Sequence, residues 1–162
     1  MHVRPATLDD AEVIRSIYNL EVLTSTVTFD LVPRTLDEQT AWLRARSGAH
    51  VVVVAETDEG HVAGFASLSP YRDRPAYSTT VEDSVYVHRD HQARGVGKVL
   101  LADLVERAQQ HGFHTMMARI VGGHEASIGL HRALGFTEVG VEREIGRKFG
   151  RWLDVVVMQR ML

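Results

Sequence analysis

Apolar and polar positions along this chain follow two periods. Val51 to Glu56 and His61 to Leu68 are runs rich in β-formers that flank Thr57-Asp58-Glu59-Gly60, a polar, glycine-ended loop of hairpin length. That pattern predicts an antiparallel pair. Further strands are expected over Val3 to Ala6, Thr79 to Val87, Phe113 to Val121, Phe136 to Glu142 and Trp152 to Met161. The second period is helical. Ile14, Ile17 and Tyr18 share one face behind Thr7-Leu8-Asp9-Asp10, with Thr7 expected as the cap and the acids where the helix dipole favours them. Thr35-Leu36-Asp37-Glu38 fits a capping box and opens a second helix that ends before Gly48. Leu100, Leu101, Leu104, Val105 and Ala108 line one side of a third, which Gly112 stops. Ala126 to Leu134 is a fourth, closed by Gly135. The order β-α-α-β-β-β-α-β-α-β-β implies a mixed central sheet flanked by helices, an α/β or α+β fold.

Composition narrows the class. The chain has 162 residues, 44% hydrophobic and 24% charged, which suits a single domain over residues 1–162 with one core. A formal charge of −3 without a basic run argues against nucleic acid as a partner. Cys is absent, so disulfides, thiolate metal sites and a cysteine nucleophile are excluded. The longest apolar run is Val51 to Ala55, and no membrane span or signal peptide is expected. The nine His form no recognised zinc motif, so no metal is expected.

The informative segment is Val85-Tyr86-Val87 followed by Gln92-Ala93-Arg94-Gly95-Val96-Gly97-Lys98, at the mouth of the third helix. Gly95 and Gly97 carry no side chain to block close approach, so the amides of this turn can face an anion reinforced by the helix dipole. Arg94 and Lys98 sit at the same end, where cations oppose the dipole unless an anion arrives. A phosphate or pyrophosphate suits the turn; a tight strand-to-helix connection also explains the two glycines. Val99 stands where a Walker A loop needs Ser or Thr, and Leu100 where the dinucleotide fingerprint needs a third glycine.

Gln92, Gly95 and Gly97 match the acetyl-CoA signature of the GNAT superfamily of N-acetyltransferases, which this chain resembles. The run from His124 to Phe136, with Ser127, Leu130-His131 and Leu134-Gly135-Phe136, resembles the second signature of that superfamily, with His124 in the usual Asn position and His131 where many members have Tyr. Thr24 to Phe29, Thr80 to Val87 and Gly150 to Val155 are similar to the phosphinothricin and methionine sulfoximine branch, so the likeness runs from about Val3 to Arg160.

The resemblance implies the GNAT fold and direct acetyl transfer from acetyl-CoA to a small amine, without a covalent enzyme intermediate. It implies Glu82 as general base; position alone favours an exposed strand carboxylate beside Asp83, and only the resemblance reverses that reading. Backbone amides of Val85, Tyr86 and Val87 are expected to pair with the pantetheine arm, and those of Ala93 to Lys98 with the pyrophosphate, with His124 and Ser127 nearby. The strand before the turn and the one after the helix are expected to splay apart. His131 is a candidate donor to the coenzyme A thiolate or a wall residue. Arg72, Asp73 and Arg74 fall in the expected acceptor loop, or in a solvated one, and Glu82, Asp83 and Ser84 are expected to contact the acceptor from the strand. Trp152 and Asp154 are candidates for shaping the pocket. A cytoplasmic homodimer is implied. The same cofactor site also suits acetylation of protein N-termini, lysines or polyamines, or a non-catalytic acyl-CoA sensor.

Overall fold

The strands expected from the sequence assemble into one seven-stranded sheet, in the order β1-β2-β3-β4-β5-β7-β6. The computed structural model describes every residue from Met1 to Leu162. The strands are β1 (His2–Pro5), β2 (Val52–Glu56), β3 (Val62–Pro70), β4 (Thr80–Val87), β5 (Thr115–Val121), β6 (Thr137–Lys148) and β7 (Arg151–Met161). The helices are α1 (Ala11–Thr24), α2 (Leu36–Arg44), α3 (Val96–Gln110) and α4 (Glu125–Ala133). All neighbouring strands run antiparallel except β4 and β5, so the sheet is mixed, and its α/β architecture follows the expected element order. No helix is long and apolar enough to cross a membrane.

Strand alternation gives the sheet two apolar faces. On the front, Val52, Val54 and Phe65 pack against Ile14, Ile17, Tyr18 and Val22 of α1 and Leu43 of α2. At the rear, Val53, Ala55, Leu68, Val81, Met116 and Ala118 pack against Leu100, Leu101 and Leu104 of α3 and Ile128 of α4. Both faces being covered explains why the central strands read as near-continuous apolar runs.

Local signals held at α2, where Glu38 N donates to Thr35 Oγ1 at 3.2 Å and Thr35 N to Glu38 Oε2 at 2.7 Å. Thr7 is a cap as expected, but of a 3-10 turn over Leu8–Asp10 that precedes α1: Asp10 Oδ2 takes the Thr7 amide at 2.7 Å, and the helix itself begins at Ala11. The sixth strand also runs past its expected end at Glu142, to Lys148. A bulge between Glu142 and Gly146, with Glu144 at φ 49, breaks the alternation that marks a strand. Its hairpin closes through Phe149 (φ 51) and Gly150 (φ 72), the two positive dihedrals of a tight I′ connection.

Candidate active site

Pairing between β4 and β5 covers only Thr80↔Thr115 to Glu82↔Met117. Beyond it β4 stays bonded to β3 as far as Val87, and β5 to β7 as far as Val121. The two central strands therefore part, leaving the facing edges of Asp83–Val87 and Ala118–Val121 open on a cavity of about 510 Å³. An extended ligand can add there as a strand does, using the backbone of Val85, Tyr86 and Val87, which line the cavity.

The glycine turn forms the end of this cavity. Gly95 caps α3 in the left-handed region (φ 81), a conformation open to glycine at no steric cost. The first helical bonds run from the Lys98 and Val99 amides to the Gly95 carbonyl. The amides of Ala93 to Gly97 make no backbone bond and are free to donate to an anion. A Cβ on Gly97 would stand 3.1 Å from Leu130 Cδ2, so the residue also lets α4 approach α3. Ala93, Gly95, Val96, Gly97 and Lys98 line the cavity; Arg94 is exposed and lies outside its lining.

Glu82 and Asp83 are consecutive, and the strand turns them to opposite faces. Asp83 faces the rear and α4, where its Oδ2 stands 2.9 Å from His131 Nε2; the two side chains are 2% and 3% exposed. His131 Nδ1 lies 2.7 Å from the Ser127 carbonyl, which only accepts, so that nitrogen carries a proton. Burial pushes the His131 pKa down, but the hydrogen bond and charge of Asp83 and the Ser127 carbonyl outweigh it and raise the value overall. Both ring nitrogens are therefore engaged, Nε2 with Asp83 and Nδ1 with Ser127. Asp83, expected to contact the acceptor, does not line the second cavity described below, and its Oδ1 is buried without a partner.

Glu82 faces the front, half-buried, and lines both the main cavity and a second one of about 350 Å³. The other walls of the second cavity are Tyr71, Arg72, Arg119, Glu142 and Ile145. Burial raises the Glu82 pKa; Arg119 and Arg72 oppose this, while Asp83 and Glu142 reinforce it. Of the expected acceptor loop, Arg72 alone reaches this cavity. Asp73 and Arg74 are exposed elsewhere, Arg74 leading the turn Pro75–Tyr77. Ser84 lines the main cavity. Trp152 is 59% exposed, and Asp154 accepts from the Glu144 amide in the β6 bulge; neither lines either of these two cavities.

Sequence reasoning missed Arg119 and Glu142. Arg119 Nη1 and Nη2 donate to the two Glu142 oxygens at 2.7 and 2.5 Å, reaching across β7. One signal was available: Arg119 is the lone charge in the run Met116 to Val121. Glu21 was missed too. It lines the main cavity, accepts from Arg89 Nε at 3.0 Å and acts on His124, the cap residue of α4. Burial lowers the His124 pKa against that attraction, favouring the neutral ring where it lines the cavity with Ser127.

Comparison with known proteins accords with this geometry. The family model described as Acetyltransferase (GNAT) family matches residues 14–136. An L-methionine sulfoximine/L-methionine sulfone acetyltransferase of Pseudomonas paraeruginosa is 43% identical over 97% of this chain and 92% of its own length. A ribosomal-protein-alanine N-acetyltransferase from Brucella melitensis superposes with a TM-score of 0.97 at 37% identity, covering 100% of both chains. A phosphinothricin acetyltransferase from Sinorhizobium meliloti, solved with AcCoA, gives a TM-score of 0.96 at 40% identity, covering 99% of this chain and 88% of the other.

Proposed function

The chain belongs to the GNAT family of acetyltransferases, and from that premise we propose that it acetylates the α-amine of a small amino acid or analogue, of the methionine sulfoximine and phosphinothricin type, using acetyl-CoA. The observation that carries this reading is the meeting of two cavities at one half-buried carboxylate, Glu82.

In this proposal the main cavity takes acetyl-CoA. Free amides ahead of Lys98 hold the pyrophosphate, and the open edge of β4 pairs with the pantetheine arm, one amide polarising the thioester carbonyl. The acceptor occupies the second cavity, its carboxylate on Arg72. Glu82 removes one proton from the ammonium group, and the freed amine attacks the thioester. The C–N bond forms as the C–S bond breaks, and the nitrogen's second lost proton balances the departing thiolate. A carboxylate whose pKa is raised by burial is the better base near neutrality for its position. His131 has both nitrogens committed to Asp83 and Ser127, which supports a role in holding the rear wall of the slot rather than as direct donor to the thiolate. A homodimer is part of the proposal, supported by the exposed apolar side chains Val139, Val141 and Ile145 on the edge strand β6; sedimentation at a monomer mass would remove it.

Thiol release from acetyl-CoA tests the function, with methionine sulfoximine, phosphinothricin, methionine and an alanine- or lysine-bearing peptide as acceptors. Release with the amino-acid analogues alone supports the proposal. Release with peptide alone moves the acceptor to protein amines, and tight acetyl-CoA binding without any release points to an acyl-CoA sensor.

A further inference from the structure

The second cavity presents two cations, and they differ in what already holds them. Arg119 is bound in two-pronged fashion by Glu142, its guanidinium fork matched to both carboxylate oxygens. Arg72 has no carboxylate partner; its guanidinium stands 4.9 Å from the Tyr71 ring centroid. An α-amino acid in this cavity uses Glu82 for its amine and one free cation for its carboxylate. After Arg72 has served that purpose, the side chain of the acceptor meets Tyr71, Ile145 and a neutralised ion pair, none of which carries a net charge.

We infer that the Arg119–Glu142 pair is the specificity-determining element of the acceptor site, selecting side chains that end in an uncharged dipolar group over those that end in an anion. This rests on the acceptor assignment proposed above. The physical argument is one of balance. An anionic tip gains no net attraction from an Arg119 already paired with Glu142 and loses its hydration on entry, while a neutral polar tip takes the remaining N–H donors and carboxylate lone pairs. A purely apolar tip of the same length leaves those groups unpaired and is rejected for a different reason. Arg119 and Glu142 reach the cavity from β5 and β6, across β7, so the selection is set on the strands rather than on the exposed Arg72 loop.

The test compares kcat/KM for methionine sulfone, which has a neutral dipolar tip, phosphinothricin, which has an anionic tip, and methionine. Wild-type protein should favour the sulfone. In Glu142→Gln the Arg119 charge is released, and the phosphinothricin-to-sulfone ratio should rise by about tenfold or more. In Arg119→Gln, where Glu142 stands unpaired, the same ratio should fall below that of wild type. Equal changes for all three acceptors in both variants, with melting temperatures and acetyl-CoA binding retained, would overturn the inference while leaving the proposed function standing. No turnover of any amino-acid acceptor by wild-type protein that binds acetyl-CoA would overturn the acceptor reading and this inference with it.

Discussion

The two faces of the parted strands put the same functional group to opposite uses. Glu82 looks forward, half-buried between two cavities, with cations on β5 and on the loop after β3. Asp83, the next residue, looks to the rear and is sealed against His131. A carboxylate kept open to a cavity, with its charge only partly compensated, is placed to take a proton and release it. A carboxylate closed into an ion pair has no such freedom, and it fixes β4 to α4. Position in a two-residue period, rather than residue type, separates the two roles.

The sharpest way to break this contrast is to neutralise each acid. Glu82→Gln should lower kcat by roughly 10²- to 10⁴-fold, the usual contribution of a positioned base. Because burial disfavours its ionised form, the same change should leave the melting temperature unchanged or raised. Asp83→Asn should do the reverse, costing roughly 3–5 kcal/mol of stability as a broken buried pair. Its pH signature distinguishes it further. The folded-state pKa of His131 is raised, so the stability it contributes is fully present below its unfolded pKa and lost as pH rises through the folded one. Urea melts of wild-type protein across that window should weaken with rising pH. In Asp83→Asn, burial acts on the imidazole without its counter-charge, and the trend should disappear or invert. If Glu82→Gln costs stability while Asp83→Asn costs only rate, the assignment of the two faces is wrong.

A smaller effect separates the cofactor end from the acceptor end. Gly95→Ala forces a side chain into a left-handed cap with open space around it, a strain of about 1–2 kcal/mol without a clash. The expected result is a raised KM for acetyl-CoA with little change in KM for the amine. An equal rise in both would mean that the turn and the acceptor cavity move together.

These two ends were unequally legible in the sequence. The turn is a contiguous stretch whose glycines, amides and following helix declare an anion site, and Ser127, Leu130 and Gly135 follow at matching intervals. The element order was legible for the same reason, since hairpin loops, capping boxes and apolar periods are local. The second cavity, proposed to take the acceptor, is not local. It joins Arg72, Glu82, Arg119 and Glu142, whose key pair is 23 residues apart and is bridged only because β7 inserts between β5 and β6. Arg74 shared the charge and the loop of Arg72, yet with Asp73 it lies outside, where the turn at Pro75 begins. Glu142 was hidden by the bulge that follows it, where the alternation that marks a strand fails.

The finest prediction concerns how the acceptor face tunes its own base. Glu82 must be ionised to accept a proton, so kcat/KM should rise with pH through the Glu82 pKa, which burial holds above the ordinary carboxylate range. The charged groups around it act with known signs: Arg119 on β5 and Arg72 on the loop lower that pKa, and Asp83 on β4 and Glu142 on β6 raise it. Arg119→Gln should therefore move the acidic limb of the profile to higher pH. Glu142→Gln should move it to lower pH, both by removing a like charge and by leaving Arg119 unneutralised. The alkaline behaviour set by the acceptor's own amine should be the same in all three proteins. Limbs displaced in the same direction by both substitutions would show that the pair acts on acceptor placement alone, and that the charge of the front face does not set the base.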